Sequence, residues 1–199
     1  MRSIGITGGV GAGKSEVMAY LQEQYGAAVI LADDVGHSLM QKGNDCYEEI
    51  RRLFGDTVLD PQGELDRKAI AEQVFCKPEL LQALNTIIHP AVKSHVLRTF
   101  ELEEKAGRKY VFLEAALLVE EQYDEICDEL WYVYAEESVR AERLRKSRRY
   151  SEEKIRNMMA AQLSDEEFRK ACGFVLDNSG DFKETIRQVD QRMRQYEIM

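Results

Sequence analysis

The sequence predicts an α/β fold: a five-stranded parallel sheet flanked by helices, with a helical insertion and a lid. Three observations predict it. Segments 3–7, 28–31, 110–114, 130–134 and 174–176 are short and rich in β-branched or aromatic residues, as strands are. Helical patterns lie between them, the alternation that builds βαβ units. A glycine-rich segment joins the first strand to the first helix.

In chain order, Ile4 and Ile6 alternate as in a strand, and Val17, Met18 and Leu21 recur at helical spacing. The long gap between the second and third strands holds helical segments at 46–54, 67–75 and 79–105. "DPQGELD" breaks the first two, through Pro61 and Gly63. Such an insertion suits a substrate-binding subdomain; the plainer alternative is an elongation that thickens the core. Further on, Ser151 precedes Glu152 and Glu153, and Ser164 with Glu167 fits a capping box. The expected organisation is one domain over 1–199. Its core covers about 1–40, 108–135 and 172–199, the insertion about 41–107 and the lid about 136–171.

The glycine-rich segment reads Gly8-x-x-x-x-Gly13-Lys14-Ser15. Glycines let a backbone wrap an anion, so that successive N–H groups form a nest for phosphates. A helix starting at Lys14 or Ser15 adds its positive N-terminal end. Lys14 would meet the phosphates as a point charge, and Ser15 would ligate Mg²⁺ beside ATP. The bland alternative is a glycine-rich turn; the strand before it and the helix after it favour the phosphate loop.

The chain of 199 residues is 44% hydrophobic, enough for one α/β core. A net charge of −9 argues against nucleic acid as the main partner. Any polyanion site must therefore be built locally. Cys46, Cys76, Cys127 and Cys172 are widely spaced, with no metal or disulfide pattern, which suggests free thiols in the cytoplasm. No apolar run is long enough for a membrane span, and the N-terminus does not read as a signal peptide.

Against this acidic background, "VRAERLRKSRRY" concentrates Arg140, Arg143, Arg145, Lys146, Arg148 and Arg149. It reads as a lid that carries arginine to a transferring phosphate, or as a solvated helix face. Asp33 and Asp34 follow the second strand directly. Ligands of doubly wound sheets sit at that end of the strands, where a carboxylate can take a proton from an attacking hydroxyl. The competing role is a helix N-cap.

These residues together resemble the dephospho-CoA kinase family, from Ile4 to about Val189. The resemblance rests on "GITGGVGAGKS", "VILADDVGHSLM", "GELDRKAIAEQVF" with "LNTIIHPAV", "LEAALLVE" and "FVLDNSGD", in that order. It implies a P-loop kinase fold, and transfer of the ATP γ-phosphoryl group to the 3′-hydroxyl of dephospho-CoA. It also implies Asp33 as general base and ATP contacts from Gly8, Gly9, Gly11, Ala12, Gly13, Lys14, Ser15 and Glu16. Arg143 joins those contacts, and Asn178 falls where the family meets adenine. His37 and His89 fall at the acceptor site. His37 could equally be a surface residue, and His89 could serve to break a helix before Pro90.

Several positions depart from the family's pattern: Leu31 replaces an aspartate, Glu16 a threonine, Ala116 a proline, Ser147 the lid arginine and Met158 an arginine preceding "AAQ". If residues 147–149 form a loop, a one-residue shift would bring Arg148 to the phosphate in place of Ser147, with Arg149 as second choice. Two other functions fit the loop: a P-loop kinase of a nucleoside or sugar, and a nucleotide-binding regulatory switch.

Overall fold

In the computed structural model, which describes residues 1–198 apart from the Cys76 side chain, five strands form one parallel sheet. They are β1 (Arg2–Thr7), β2 (Ala28–Leu31), β3 (Tyr110–Glu114), β4 (Glu129–Tyr134) and β5 (Phe174–Asp177), in the order β2-β3-β1-β4-β5. The helices are α1 (Lys14–Tyr25), α2 (Ala32–Leu39), α3 (Tyr47–Phe54), α4 (Arg67–Cys76), α5 (Pro78–Lys105), α6 (Glu137–Arg148), α7 (Glu152–Ala160), α8 (Asp165–Ala171) and α9 (Phe182–Ile198). Each expected strand is present, extended by at most one residue at an end.

The central strands explain their own composition. Ile6 of β1 lies opposite Glu114 in β3 and Trp131 in β4. Ile4, Ile6, Val111, Phe112, Leu113, Trp131 and Val133 are fully buried. A parallel sheet covered on both faces selects such runs, where alternation gives way to continuous apolar sequence.

The chain divides into two compact units. One is Met1–Ile30 with the described residues from Glu103 onward; the other is Leu31–Leu102. The division falls earlier than the boundary expected near 41, so α2 groups with the helical unit. In the first unit, β1, β3, β4 and β5 all end at one edge. There β1 enters the glycine loop, β3 ends on Glu114, β4 leads to α6, and β5 leads to Asn178. The Tyr20 and Tyr25 hydroxyls both donate to Asp190, at 2.7 Å each, and tie α1 to α9.

In the helical unit, Gly36 of α2 faces the Ile88 and Val92 side chains of α5. Tyr47, Ile50, Phe54, Val58, Ile70 and Val96 are buried there. The "DPQGELD" turn forms as expected: Asp60 Oδ1 accepts from the N–H groups of Gln62 and Glu64, at 2.9 Å each, and Asp66 caps α4.

The helix expected over 79–105 forms, and the alternative of a break before Pro90 falls away. Pro90 does not break the helix, and α5 runs unbroken through His89-Pro90 to Lys105. A proline removes one ladder bond and costs roughly 3 kcal/mol in a helix interior. Across 28 residues, with Leu84, Val92, Val96 and Phe100 buried, tertiary packing outweighs that local cost.

Candidate active site

The glycine loop closes on itself first. Ala12 N–H donates to Gly9 O at 3.1 Å, and Glu16 N–H to Gly13 O at 3.2 Å. Gly13 takes φ 91°, a left-handed value that favours glycine, and starts α1 at Lys14. The N–H groups of Gly11, Gly13, Lys14 and Ser15 have no acceptor among the described residues. Open donors in succession, at a helix N-terminus, make an anion-binding concavity. Lys14 Nζ donates to Gly8 O at 3.0 Å and lies 3.5 Å from Glu114 Oε1 at the end of β3. Ser15 and Glu16 are exposed in the first turn of α1.

Side chains from the lid brace this loop from outside. Arg140 Nε donates to Val10 O at 3.0 Å, and its Nη2 to Gln162 Oε1 at 2.9 Å. The same Gln162 oxygen accepts from Val10 N–H at 3.0 Å. The Arg140 guanidinium lies so close over Gly9 that a Cβ there would sit 2.3 Å from Cζ. Arg143 Nη1 donates to Ala12 O at 3.2 Å, and its Nη2 to Asn178 O at 2.8 Å. The base of the lid is fixed by Phe168 of α8, whose ring stacks on Tyr132 at 4.7 Å. Burial first, then the charge and hydrogen bond of Asp165, push Tyr132 up to about 12.

The basic run therefore divides. Arg140 and Arg143, three apart on α6, turn to the loop. Arg145 pairs with Glu152 and Lys146 with Glu142. Arg148 and Arg149 are exposed. The expected loop at 147–149 is corrected: α6 runs through Arg148, and Ser147 Oγ donates to Arg143 O at 2.7 Å. Helical bonding sets Arg148 about 100° from Ser147 around the axis.

Asn178, expected at adenine, is 1% exposed, and both ends of its amide are already bonded. Nδ2 donates to Ala12 O at 2.7 Å, and Oδ1 accepts from Thr185 Oγ1 at 2.8 Å. Its side chain serves the glycine loop. Ala12, expected as an ATP contact, is fully buried and spends its N–H on Gly9; Glu16 likewise spends its N–H on Gly13.

In the helical unit, Leu31 occupies the N-cap of α2 and no side chain caps it. Asp33 and Asp34 are exposed in the first turn, so neither is spent on capping. His37 lies one turn from Asp33. Its Nδ1 is 3.3 Å from Arg67 Nη1, which can only donate, so Nδ1 accepts. His37, Met40, Lys42, Glu64 and Arg67 line a cleft of about 340 Å³. His89 is half-buried on α5.

The model of the dephospho-CoA kinase family matches residues 2–184. The chain belongs to that family. It is 39% identical over 194 residues to a dephospho-CoA kinase of Symbiobacterium thermophilum, covering 98% of this chain and 81% of that one. The crystal structure of TT1252 from Thermus thermophilus superposes with a TM-score of 0.78 at 33% identity, covering 98% and 97% of the two chains. A dephospho-CoA kinase from Campylobacter jejuni, at 21% identity, shares the fold with a TM-score of 0.73 over 98% of each chain. Family membership makes the chain an enzyme with a P-loop kinase fold.

Sequence reasoning gave no role to Arg67, Glu114, Gln162 or Thr185, and named Arg140 only within the basic run. Arg140 had a signal: had 137–148 been read as a helix, its spacing from Arg143 would have placed both on one face. Arg67 and Glu114 stood inside stretches that carry the family likeness, "GELDRKAIAEQVF" and "LEAALLVE". Thr185 carried no local signal.

Proposed function

We propose that the chain transfers the γ-phosphoryl group of ATP to the ribose 3′-hydroxyl of dephospho-CoA, giving coenzyme A and ADP. The observation that carries this reading is a braced phosphate loop with open N–H donors, in a chain that matches the dephospho-CoA kinase family over residues 2–184.

The open N–H groups and Lys14 hold the polyphosphate and meet charge that develops on the γ-phosphoryl group. Asp33 takes the proton of the attacking hydroxyl. His37 and His89, with Arg67, orient the acceptor. Gly8, Gly9, Gly11 and Gly13 keep the loop backbone close to the phosphates, while Ala12, Arg143 and Asn178 act through the loop. The residues also fit Mg²⁺ carried in with ATP. Such an ion takes one or two protein oxygens and completes its shell with phosphate and water. The exposed Ser15 hydroxyl at the start of α1 supplies one, and no group of three His, Cys, Asp or Glu residues among the described ones forms a separate cage. When bound, the ion neutralises charge on the β- and γ-phosphates. The buried thiols of Cys46 and Cys172 suit a reducing, cytoplasmic setting. No helix of the described residues is long and apolar enough to cross a membrane.

Of the lid arginines we assign the larger role to Arg140 over Arg148, because its guanidinium braces the loop through Val10 O and Gln162 whereas Arg148 is exposed at the end of α6. Arg140→Ala is expected to lower kcat about 10²-fold, because a loop without its brace misplaces the reacting phosphate. Arg148→Ala should stay within about threefold, as surface substitutions do. Steady-state kinetics on both variants checks this. The reverse order would return the role to Arg148.

Initial rates with dephospho-CoA, adenosine, AMP and shikimate test the acceptor. Dephospho-CoA should be phosphorylated in strong preference. Preference for one of the others would replace the proposed acceptor.

A further inference from the structure

We infer that Asn178 and Thr185 are positioning residues that aim a backbone N–H of the phosphate loop at the bound polyphosphate; this rests on the phosphate-loop reading above. Both side chains are 1% exposed, in a core otherwise almost wholly apolar. A buried hydroxyl in α9 is costly unless it is bonded. Thr185 is bonded: Oγ1 is 2.8 Å from Asn178 Oδ1 and 3.3 Å from Asp177 O. Its single proton serves the shorter contact.

That bond helps fix which way the Asn178 amide faces. Nδ2 then meets Ala12 O at 2.7 Å. The flipped amide would set two acceptors against each other at that distance, so the orientation is determined by the partners. Arg143 completes the knot, holding Ala12 O with Nη1 and Asn178 O with Nη2.

The consequence lies one atom further on. Among the described residues no peptide bond is cis. In a planar trans peptide the C=O and the following N–H point in opposite directions. With Ala12 O held from behind by Asn178 and Arg143, the Gly13 N–H points away from them. That N–H has no acceptor among the described residues. Glycine is required at 13 on the same account: a Cβ there would lie 2.3 Å from Asn178 Nδ2. The path from Thr185 to Asn178 to Ala12 O to Gly13 N–H thus runs from the C-terminal helix to the nest. Val10 O, bonded by Arg140 Nε, orients the Gly11 N–H by the same geometry.

A packing tie between β5, α9 and the loop would affect all ligands alike. A positioning role affects those with a phosphate in the nest. The experiment is calorimetric titration of the full chain with ADP and, separately, with dephospho-CoA, for wild type, Thr185→Val, Thr185→Ser and Asn178→Asp. Thr185→Val keeps shape and removes the proton; it should weaken ADP about tenfold, the cost of one buried acceptor left without its donor. Dephospho-CoA affinity should stay at the wild-type value, and Thr185→Ser should restore ADP binding. Asn178→Asp, which sets a carboxylate against Ala12 O, should weaken ADP at least as much. Unchanged ADP affinity in Thr185→Val, or in Asn178→Asp if the valine variant does not fold, overturns the inference. So does an equal loss for both ligands. Failure of the wild-type chain to bind dephospho-CoA would instead count against the proposed acceptor, whatever the variants do.

Discussion

Lys14→Met is expected to lower the rate of phosphoryl transfer about 10²–10³-fold, or roughly 3–4 kcal/mol of transition-state stabilisation. Methionine keeps an unbranched, half-buried stem of similar length and removes only the charge and its donors. In the structure that ammonium spans Gly8 O and Glu114, so it is held at the mouth of the loop before any substrate arrives. A preorganised cation costs no reorganisation as charge builds on the transferring group, which is why its loss falls on the chemical step. Rapid-quench measurement of a single turnover checks this. A rate within fivefold of wild type would show that the charge is met elsewhere.

Asp33→Asn is expected to lower kcat by about 10²–10⁴-fold, the range for loss of a general base, with the KM for ATP little changed. The amide keeps the shape of the carboxylate and cannot take the proton. Because Leu31 is the N-cap of α2 and no side chain caps that helix, Asp33 is not committed to a structural bond that would explain a loss of activity by unfolding. Asp34, its neighbour in the same first turn, is the internal control: Asp34→Asn should change kcat only slightly. Steady-state kinetics on the two variants distinguishes them. A larger defect in Asp34→Asn would transfer the role of base to that residue.

The strands and the phosphate loop were legible because their signals are local. β-branched runs, a glycine pattern and a capping serine each act within a few residues. The Ser164–Glu167 capping box forms as read, with Glu167 Oε2 taking both the Ser164 N–H and its hydroxyl. What was not legible depends on contacts that the fold creates. Arg140 meets Val10 across 130 positions of sequence, and Asn178 meets Ala12 across 166. The lid arginine was sought at Arg148 because a loop was expected, and a loop permits a shift; α6 continues instead, and fixes every side chain by its turn. Pro90 left a break open as an alternative, although the helix over 79–105 was expected. The local preference against helix is real, and the buried stripe of a long helix outweighs it. The family likeness located Asn178 at the nucleotide site, while its burial and bonds turn its side chain toward the loop backbone.

The most direct test of the central claim is mass spectrometry of dephospho-CoA after incubation with the chain, ATP and Mg²⁺. The account predicts a product carrying one added phosphoryl group, placed by fragmentation on the 3′ oxygen of the adenosine ribose, with ADP formed in equal amount. ATP consumed with no phosphorylated dephospho-CoA would contradict it and favour a nucleotide-driven switch.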